Sequence, residues 1–261
     1  MKKALFIGIN YIHNPSTQLN GCIDDVTNMS KILQSHYGYS PENMVMLTDD
    51  TEDPGHMPTK TRILQALMEL VASSSECEEI WIHYSGHGSV IQGYNGSAIV
   101  PVDYYTNGFI TDMEIHAIVR HAACRTMILM DSCNSGTMGE LEWNFEYLYG
   151  ATFMRTQINS GTIANPHIFM FSGSKRNQSS VEVIDRITQR YEGAFTDAFL
   201  HALQQNSYTI TLGKLIQDVC VHLHNEHIEN QRPVLSSSSP EPRWTLVPVY
   251  TGEHLNPDAH L

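Results

Sequence analysis

The chain has 261 residues, of which 41% are hydrophobic, and a formal net charge of −13 at pH 7. This length and apolar content suffice for a domain with a large buried core and exclude a disordered acidic tail protein. The negative charge argues against nucleic acid or an anionic membrane surface as a partner, and no apolar run approaches the roughly 18 residues of a membrane-spanning helix.

The amino terminus imitates a signal peptide for a few residues, with two lysines followed by the apolar stretch 4–9. This stretch is too short and runs into polar residues with no small-residue cleavage site, so we interpret it as the first strand of a cytoplasmic protein. The five cysteines are widely spaced and form no CxxC pair. They therefore indicate a reducing compartment rather than a disulfide framework or a zinc ribbon.

Strand-length apolar runs alternate with segments of helical periodicity along the chain. The pattern predicts strands at 4–9, 44–47, 80–84, 98–100, 127–130 and 167–171, and short or edge strands at 233–235 and 243–249. It predicts helices at 24–33, 59–72, 113–121, 194–203 and 211–227. The first, third and fifth of these strands have the continuous apolar character of central parallel strands. We therefore expect an α/β fold, with a mostly parallel central sheet flanked by helices on both faces.

One long segment, residues 140–166, has no clear period and is expected to be irregular. Loops of this length in compact domains are usually functional or disordered. No composition shift marks a domain boundary, so the sequence predicts a single domain over residues 1–261.

Reactive side chains follow two of the predicted central strands. Strand 80–84 is followed by Ser85-Gly86-His87-Gly88, and strand 127–130 is followed by Asp131-Ser132-Cys133-Asn134-Ser135-Gly136. Ligands bind at the carboxyl edge of such sheets, so we expect His87 and Cys133 to meet there. A histidine beside a cysteine activates the thiol and later protonates a leaving amine.

Backbone amides near these two residues are candidates for stabilising an oxyanion. The candidates are the amide of Cys133 itself and those of the glycines on either side of His87, Gly88 and Gly86. Glycine at these positions also allows a sharp turn and a close approach of substrate. The sequence shows no third member of a catalytic triad.

These motifs resemble those of the metacaspases, a family with the caspase-haemoglobinase fold. The resemblance rests on His83-Tyr84-Ser85-Gly86-His87-Gly88 and on Asp131-Ser132-Cys133-Asn134-Ser135-Gly136. Gly21-Cys22-Ile23-Asp24-Asp25 stands where the family has Gly-Cys-x-x-Asp, and shorter blocks such as Val100-Pro101-Val102-Asp103 and Gly193-Ala194-Phe195-Thr196 follow in the family's order. The resemblance thus covers nearly the whole chain.

The family resemblance implies one caspase-like peptidase domain that acts as a monomer. Residues 1–140 would form the part similar to a caspase large subunit, 141–166 the intersubunit-like loop and 167–261 the small-subunit-like part. Because the first core strand begins at residue 3, we expect a type I-like catalytic core without the long prodomain of some members.

The resemblance also implies a cysteine endopeptidase that cleaves peptides or proteins after arginine or lysine. Cys133 is then the nucleophile and His87 the general base. The residues that it places in the pocket for the basic side chain are Asp25, Asp131, Ser85 and Cys22. Carboxylates suit this role because they bind a guanidinium through charge-assisted hydrogen bonds and repel acidic substrates.

The chain departs from the family in the acids that hold calcium in many members. Asn95 stands where the family has aspartate, the family's Asp-Asp pair is Asp112-Met113, and the late acid is Glu140. Calcium needs six to eight oxygen ligands, which Asn95, Asp112 and Glu140 supply only as a degenerate site. We therefore expect weak or no calcium dependence and no required cofactor. The alternative role for Asp112 is that it begins a helix and does not bind calcium.

Self-cleavage is a second control in the family. Arg155 is the one basic residue in segment 140–166 and is the candidate cleavage site.

Two other functions remain open at this point. One is a catalytically silent scaffold or binding protein on the same fold, against which the intact pair of His87 and Cys133 counts. The other is a non-peptidase cysteine hydrolase, which gains if Asp25 and Asp131 do not converge near Cys133.

Overall fold

The computed structural model describes residues 1–91, 93–94, 96–132, 141–148, 152–161, 163–173, 182–184, 191–228 and 231–249, hereafter the described residues. The helices are α1 Cys22–Tyr37, α2 Lys60–Ala72, α3 Tyr104–Asn107, α4 Asp112–Val119, α5 Ala194–Gln205 and α6 Leu212–Asn225. The strands are β1 Lys2–Gly8, β2 Met44–Thr48, β3 Glu79–Ser85, β4 Gly88–Val90, β5 Ser97–Ile99, β6 Ile110–Thr111, β7 Arg125–Asp131, β8 Trp143–Leu148, β9 Thr152–Gln157, β10 Ile168–Ser172, β11 Glu182–Ile184, β12 Tyr191–Gly193, β13 Ile210–Thr211, β14 Val234–Ser237 and β15 Thr245–Leu246. Every helix and strand predicted from the sequence is present, with shifted ends.

An eight-stranded sheet in the order β2-β1-β3-β7-β10-β14-β8-β9 forms the centre of the fold. The first five strands in this order pair in parallel, and the remaining pairs are antiparallel. Strands β1, β3 and β7 are neighbours near its middle, which confirms the predicted central parallel strands. Their carboxyl ends therefore lie at one edge, where the candidate catalytic segments begin.

Helices cover both faces of the sheet, and each face has its own apolar core. On one face, α1, α5 and α6 pack against Trp81 and Phe171 through side chains such as Phe199. On the other face, α2 and α4 pack against Ile82 and neighbouring aliphatic residues. Two-sided burial explains why the central strands are almost continuously apolar, and it confirms the predicted α/β class.

The expectation of an irregular segment over residues 140–166 is wrong. Residues 143–148 and 152–157 form the antiparallel pair β8 and β9, which extends the sheet beyond β14. The sequence contained a signal for β8, because Trp143, Phe145 and Tyr147 alternate with other side chains at the period of a strand. Phe145 and Tyr147 pack against the core on the α1 face, whereas β9 is exposed and lacks this alternation.

Among the described residues, no helix has the length and apolar character needed to cross a membrane. The cytoplasmic location and the division into large- and small-subunit-like parts stay predictions. The candidate residues Cys133, Asn95 and Glu140 lie outside the described residues.

A fully buried histidine lies within the sheet. His83, on β3, stands opposite Phe6 of β1, and the two rings pack edge to face with centroids 6.3 Å apart. Neither ring nitrogen has a hydrogen-bond partner among the described residues. Burial disfavours the charged imidazolium and lowers the pKa of His83 to about 3.

Replacing His83 with leucine should reduce the acid sensitivity of folding. In the unfolded chain the His83 ring takes up a proton near pH 6.5, whereas in the folded chain it stays neutral until about pH 3. His83 therefore lowers the free energy of unfolding as the pH falls below 6.5. The expected cost at pH 5 relative to pH 7.5 is about 2 kcal/mol in the unmodified protein, and His83→Leu should lack it. Urea unfolding at both pH values measures this difference. The exposed His121→Gln is the control, and an equal pH dependence in all three proteins would contradict the prediction.

Candidate active site

The two catalytic segments lie side by side because β3 and β7 are hydrogen-bonded in parallel. Ser85, the last residue of β3, stands opposite Asp131, the last residue of β7. Just beyond the strands, the Gly86 N–H donates to the Asp131 carbonyl oxygen at 3.2 Å. Cys133 follows Asp131 by two residues, a span of at most about 7 Å of extended chain. The placement of Cys133 itself lies outside the described residues.

The ring of His87 is oriented by a backbone carbonyl. Its Nε2 lies 2.7 Å from the carbonyl oxygen of Thr17, in the connection between β1 and α1. A carbonyl oxygen only accepts hydrogen bonds, so Nε2 carries the proton in the neutral ring and Nδ1 is the nitrogen able to accept one. No side-chain pattern in the sequence pointed to Thr17, because the contact with His87 is made by the main chain.

Two buried tyrosines hold the backbone of His87. The His87 N–H donates to Tyr11 Oη at 3.0 Å, and Tyr84 Oη donates to the His87 carbonyl oxygen at 2.7 Å. Tyr11 Oη also donates to the Val100 carbonyl oxygen at 2.7 Å, and the Tyr11 ring lies against the His87 ring with centroids 4.6 Å apart. Burial raises the pKa of Tyr11 well above its usual value, so this hydroxyl remains a donor at every working pH.

Tyr11 adopts an uncommon backbone conformation, with φ of 54°. A non-glycine residue in this left-handed region costs of order 1–3 kcal/mol, and such strain concentrates at functional sites. Gly86 is constrained by the same tyrosines, because a Cβ there would lie 2.6 Å from Tyr84 Oη. Only glycine fits between Ser85 and His87 without displacing a tyrosine.

One of the oxyanion candidates is wrong. The Gly86 amide already donates to the Asp131 carbonyl, so it is not available to a substrate oxygen. Gly88 is the first residue of β4, directly after His87, and pairs with Ile99 of β5. The roles of Gly88 and of the Cys133 amide stay predictions.

A buried carboxylate, Asp25, approaches the ends of β3 and β12 from the first turn of α1. Its Oδ2 accepts the Ser85 hydroxyl at 2.6 Å, and its Oδ1 accepts the Gly193 N–H at 2.9 Å. Only 1% of Asp25 is exposed. Cys22, also buried, is the first residue of the same helix, and its N–H donates to Asn10 Oδ1 at 3.0 Å.

Asp131 is held in a similar way by the start of α5. Its Oδ2 accepts both the backbone N–H and the hydroxyl of Thr196, at 2.9 and 2.8 Å, and 3% of the residue is exposed. A Cβ on Gly193 would lie within 2.7 Å of carboxylate oxygens of both Asp25 and Asp131. The two acids therefore converge on one point, which only glycine leaves open. Sequence analysis gave Gly193 and Thr196 no role of their own.

The predicted calcium ligands do not form a described cation cluster. Asp112 is buried, and its Oδ1 accepts the Tyr94 hydroxyl and, at 2.8 Å, the Met113 N–H. Its Oδ2 accepts the Ser97 N–H at 2.8 Å. No group of three or more metal-ligating side chains occurs among the described residues. Asp112 is also the first residue of α4, as the alternative interpretation of a helix start expected.

Arg155, the candidate self-cleavage site, lies within β9 and pairs with Phe145 of β8. Its guanidinium lies over the Trp143 ring, 5.1 Å from the ring centroid, and donates to the Pro240 carbonyl oxygen at 3.4 Å. Because peptidases bind a substrate backbone as an accessible extended segment, cleavage at Arg155 would require the β8–β9 pair to separate.

Comparison with known sequences places this arrangement in a family. Residues 2–142 match the sequence profile of the metacaspase peptidase C14 domain. Metacaspase-1 of Eremothecium gossypii is 32% identical over 92% of this chain, and metacaspase-1B of Neosartorya fischeri is 32% identical over 94%. The chain belongs to the metacaspase family. Metacaspases are cysteine-type endopeptidases. The chain spans 64% of the length of the Eremothecium gossypii relative and 71% of the length of the Neosartorya fischeri relative.

Solved structures support the same fold at lower sequence identity. Caspase-1 from Spodoptera frugiperda superposes with a TM-score of 0.52 at 12% identity, covering 91% of this chain and 86% of that one. A protein from Geobacter sulfurreducens superposes with a TM-score of 0.62 at 18% identity, covering 92% and 95%. These similarities confirm the caspase-like fold expected from the metacaspase motifs.

Removing the Tyr11 hydroxyl should impair the orientation of His87. Tyr11→Phe leaves the His87 N–H and the Val100 carbonyl without their partner, so the backbone of His87 loses one of its three described hydrogen bonds. We expect kcat on an arginyl peptide to fall about tenfold and KM to change less than about twofold. The reason is that a misplaced His87 ring weakens stabilisation of the transition state more than it weakens binding of the substrate.

Tyr39→Phe is the matched control. Tyr39 is equally buried and donates to Glu79 Oε1 at 2.7 Å, at the opposite end of β3. Steady-state kinetics and a melting curve on both variants separate positioning from stability. Equal kcat values for the two variants would show that Tyr11 has only a structural role.

Proposed function

We propose that the chain is a cysteine endopeptidase that hydrolyses peptide bonds after arginine or lysine, with Cys133 as nucleophile and His87 as general base. The observation that carries this proposal is the convergence of the Asp25 and Asp131 carboxylates at Gly193, beside the ends of β3 and β7. A non-peptidase hydrolase of small neutral substrates gives no reason for two buried acids at this place.

The acidic pair accounts for the basic preference. The donors described for Asp25 and Asp131 include hydroxyl and amide groups, which stabilise the ionised form of both carboxylates. A guanidinium offers five N–H donors in a planar fork and binds such carboxylates through charge-assisted hydrogen bonds. The ammonium group of a lysine side chain carries the same positive charge in a more compact form. The two carboxylates repel the negatively charged side chain of an aspartate.

The chemistry follows from the orientation of His87. Nδ1 takes the proton from the Cys133 thiol, and the thiolate attacks the carbonyl carbon of the scissile bond. The Gly88 and Cys133 amides donate to the resulting oxyanion. Nδ1 then gives its proton to the leaving amine, and water activated by the same nitrogen hydrolyses the thioester. Throughout, Nε2–H remains bonded to the Thr17 carbonyl, which stabilises the imidazolium when it forms.

Calcium is not expected to control this activity. The carboxylate of Asp112 is already engaged by the Tyr94 hydroxyl and the two amides of Ser97 and Met113. A cation would have to displace these donors and find most of its six to eight oxygens elsewhere.

The first experiment compares quenched peptides that differ in one residue before the cleaved bond: arginine, lysine or aspartate. The unmodified protein should cleave the basic peptides only, and Cys133→Ala should cleave none while keeping its melting temperature. Asp25→Asn should lower kcat/KM on the arginine peptide by about a hundredfold, because the guanidinium loses an ionic partner.

Asp24→Asn is the matched control for Asp25→Asn, because both remove one negative charge from the first turn of α1. It should retain activity within about twofold. Equal losses in the two variants would assign the effect to the helix rather than to the pocket. Turnover by Cys133→Ala would refute the nucleophile, and selective cleavage after aspartate would refute the acidic pocket.

Calcium dependence is tested on the arginine peptide with excess calcium and with excess chelator. The rate and the melting temperature should be the same in both conditions, because both carboxylate oxygens of Asp112 already accept hydrogen bonds. An increase of about tenfold or more in rate on adding calcium would overturn this part of the proposal.

A further inference from the structure

A cavity of about 570 Å³ has Tyr11, whose ring lies against His87, in its wall. We call it the tyrosine pocket, and its walls are Tyr11, His13, Asn14, Asp49, Met57, Val102, Tyr104 and Tyr105. This volume is within the range of ligand-binding cavities and exceeds what one aromatic side chain fills.

The tyrosine pocket and the acidic pair lie on opposite faces of the sheet edge. Tyr11, Val102 and Tyr104 belong to the apolar core under α2 and α4. Asp25 belongs to α1, which packs with α5 on the other face. His87 is linked to both sites, because it follows Ser85, which donates to Asp25, by two residues, and its ring lies against Tyr11.

The position of His87 decides which part of a substrate meets each site. The general acid must stand on the leaving-group side of the cleaved bond, because it protonates the departing amine. The residue before the bond enters the acidic pair, so the residue after the bond must pass His87 on its other side. From this geometry we infer that the tyrosine pocket binds the side chain of the residue that follows the cleaved bond. This inference rests on the proposed peptidase function.

The lining of the pocket indicates a large aromatic or aliphatic side chain. The Tyr104 and Tyr105 rings stack with centroids 4.1 Å apart, and 76% of Tyr105 is exposed, which is a large apolar surface to leave in water. The Asp49 carboxylate is buried and accepts the Asn10 and Ile12 N–H groups at 2.8 and 2.9 Å. It therefore holds the loop after β1, and its negative charge disfavours an acidic substrate residue.

The segment after β1 connects this pocket to the catalytic base. Tyr11, His13 and Asn14 of this segment line the pocket, and the carbonyl of Thr17 in the same segment accepts from His87 Nε2. Tyr11 lines the pocket and also accepts the hydrogen bond from the His87 N–H. A side chain bound in the pocket thus contacts the same residues that orient the ring, so its effect is expected in kcat as well as in KM.

The test uses two quenched peptides that carry arginine before the cleaved bond and either phenylalanine or glycine after it. The unmodified protein should prefer phenylalanine by at least about tenfold in kcat/KM. Tyr105→Ala, which removes an exposed wall, and Val102→Phe, which narrows the cavity with a larger side chain, should each reduce this ratio to about twofold.

Phe153→Ala is the matched control, because Phe153 is an exposed aromatic residue on β9, away from the site. It should keep both the preference and the basal rate. Equal cleavage of the two peptides by the unmodified protein would overturn the tyrosine pocket and leave the proposed function standing. A preference that survives both Tyr105→Ala and Val102→Phe would overturn it as well. Cleavage of neither peptide would overturn the proposed function and with it the inference.

Discussion

The site depends on the parallel register between β3 and β7. With Ser85 opposite Asp131, the segments that carry His87 and Cys133 leave the sheet side by side, and the Gly86 amide joins them through the Asp131 carbonyl. A shift of this register by one residue would exchange the two faces of the strand and move Asp131 away from α5. The apolar cores on both faces fix the register, so the packing of the sheet determines the geometry of catalysis.

Two acids close to one another in a buried place are unfavourable for folding, because each carboxylate loses solvation and repels the other. The protein offsets part of this cost with neutral donors, from Ser85 and Gly193 to Asp25 and from Thr196 to Asp131. In the proposed function, a basic substrate side chain adds a further charge-assisted partner for these carboxylates. Sites of this kind bind cations strongly at some expense of stability, as the general conflict between stability and activity predicts.

His87, the proposed general base, is held mainly by groups that are not themselves reactive. Tyr11 and Thr17 come from the segment after β1, and Tyr84 comes from β3 itself. Together they fix the backbone, the ring plane and the tautomer of His87. Three residues of the tyrosine pocket, Tyr11, His13 and Asn14, come from the same segment after β1. The proposed binding of the leaving residue and the orientation of the proposed base therefore share one structural element.

The sequence by itself determined the α/β class, the central parallel strands, the helices and the residues expected to react, because local periodicity and glycine-rich strand ends are visible along the chain. It missed the β8–β9 pair, whose second strand lacks apolar alternation and is specified by its partner. It also missed Thr17 as the group that orients His87, because a backbone carbonyl has no signature in the sequence. The convergence of Asp25, Asp131 and Gly193 joins residues up to 168 positions apart. Only the tertiary structure decides such contacts, because they depend on the packing of α1 and α5 against one edge of the sheet.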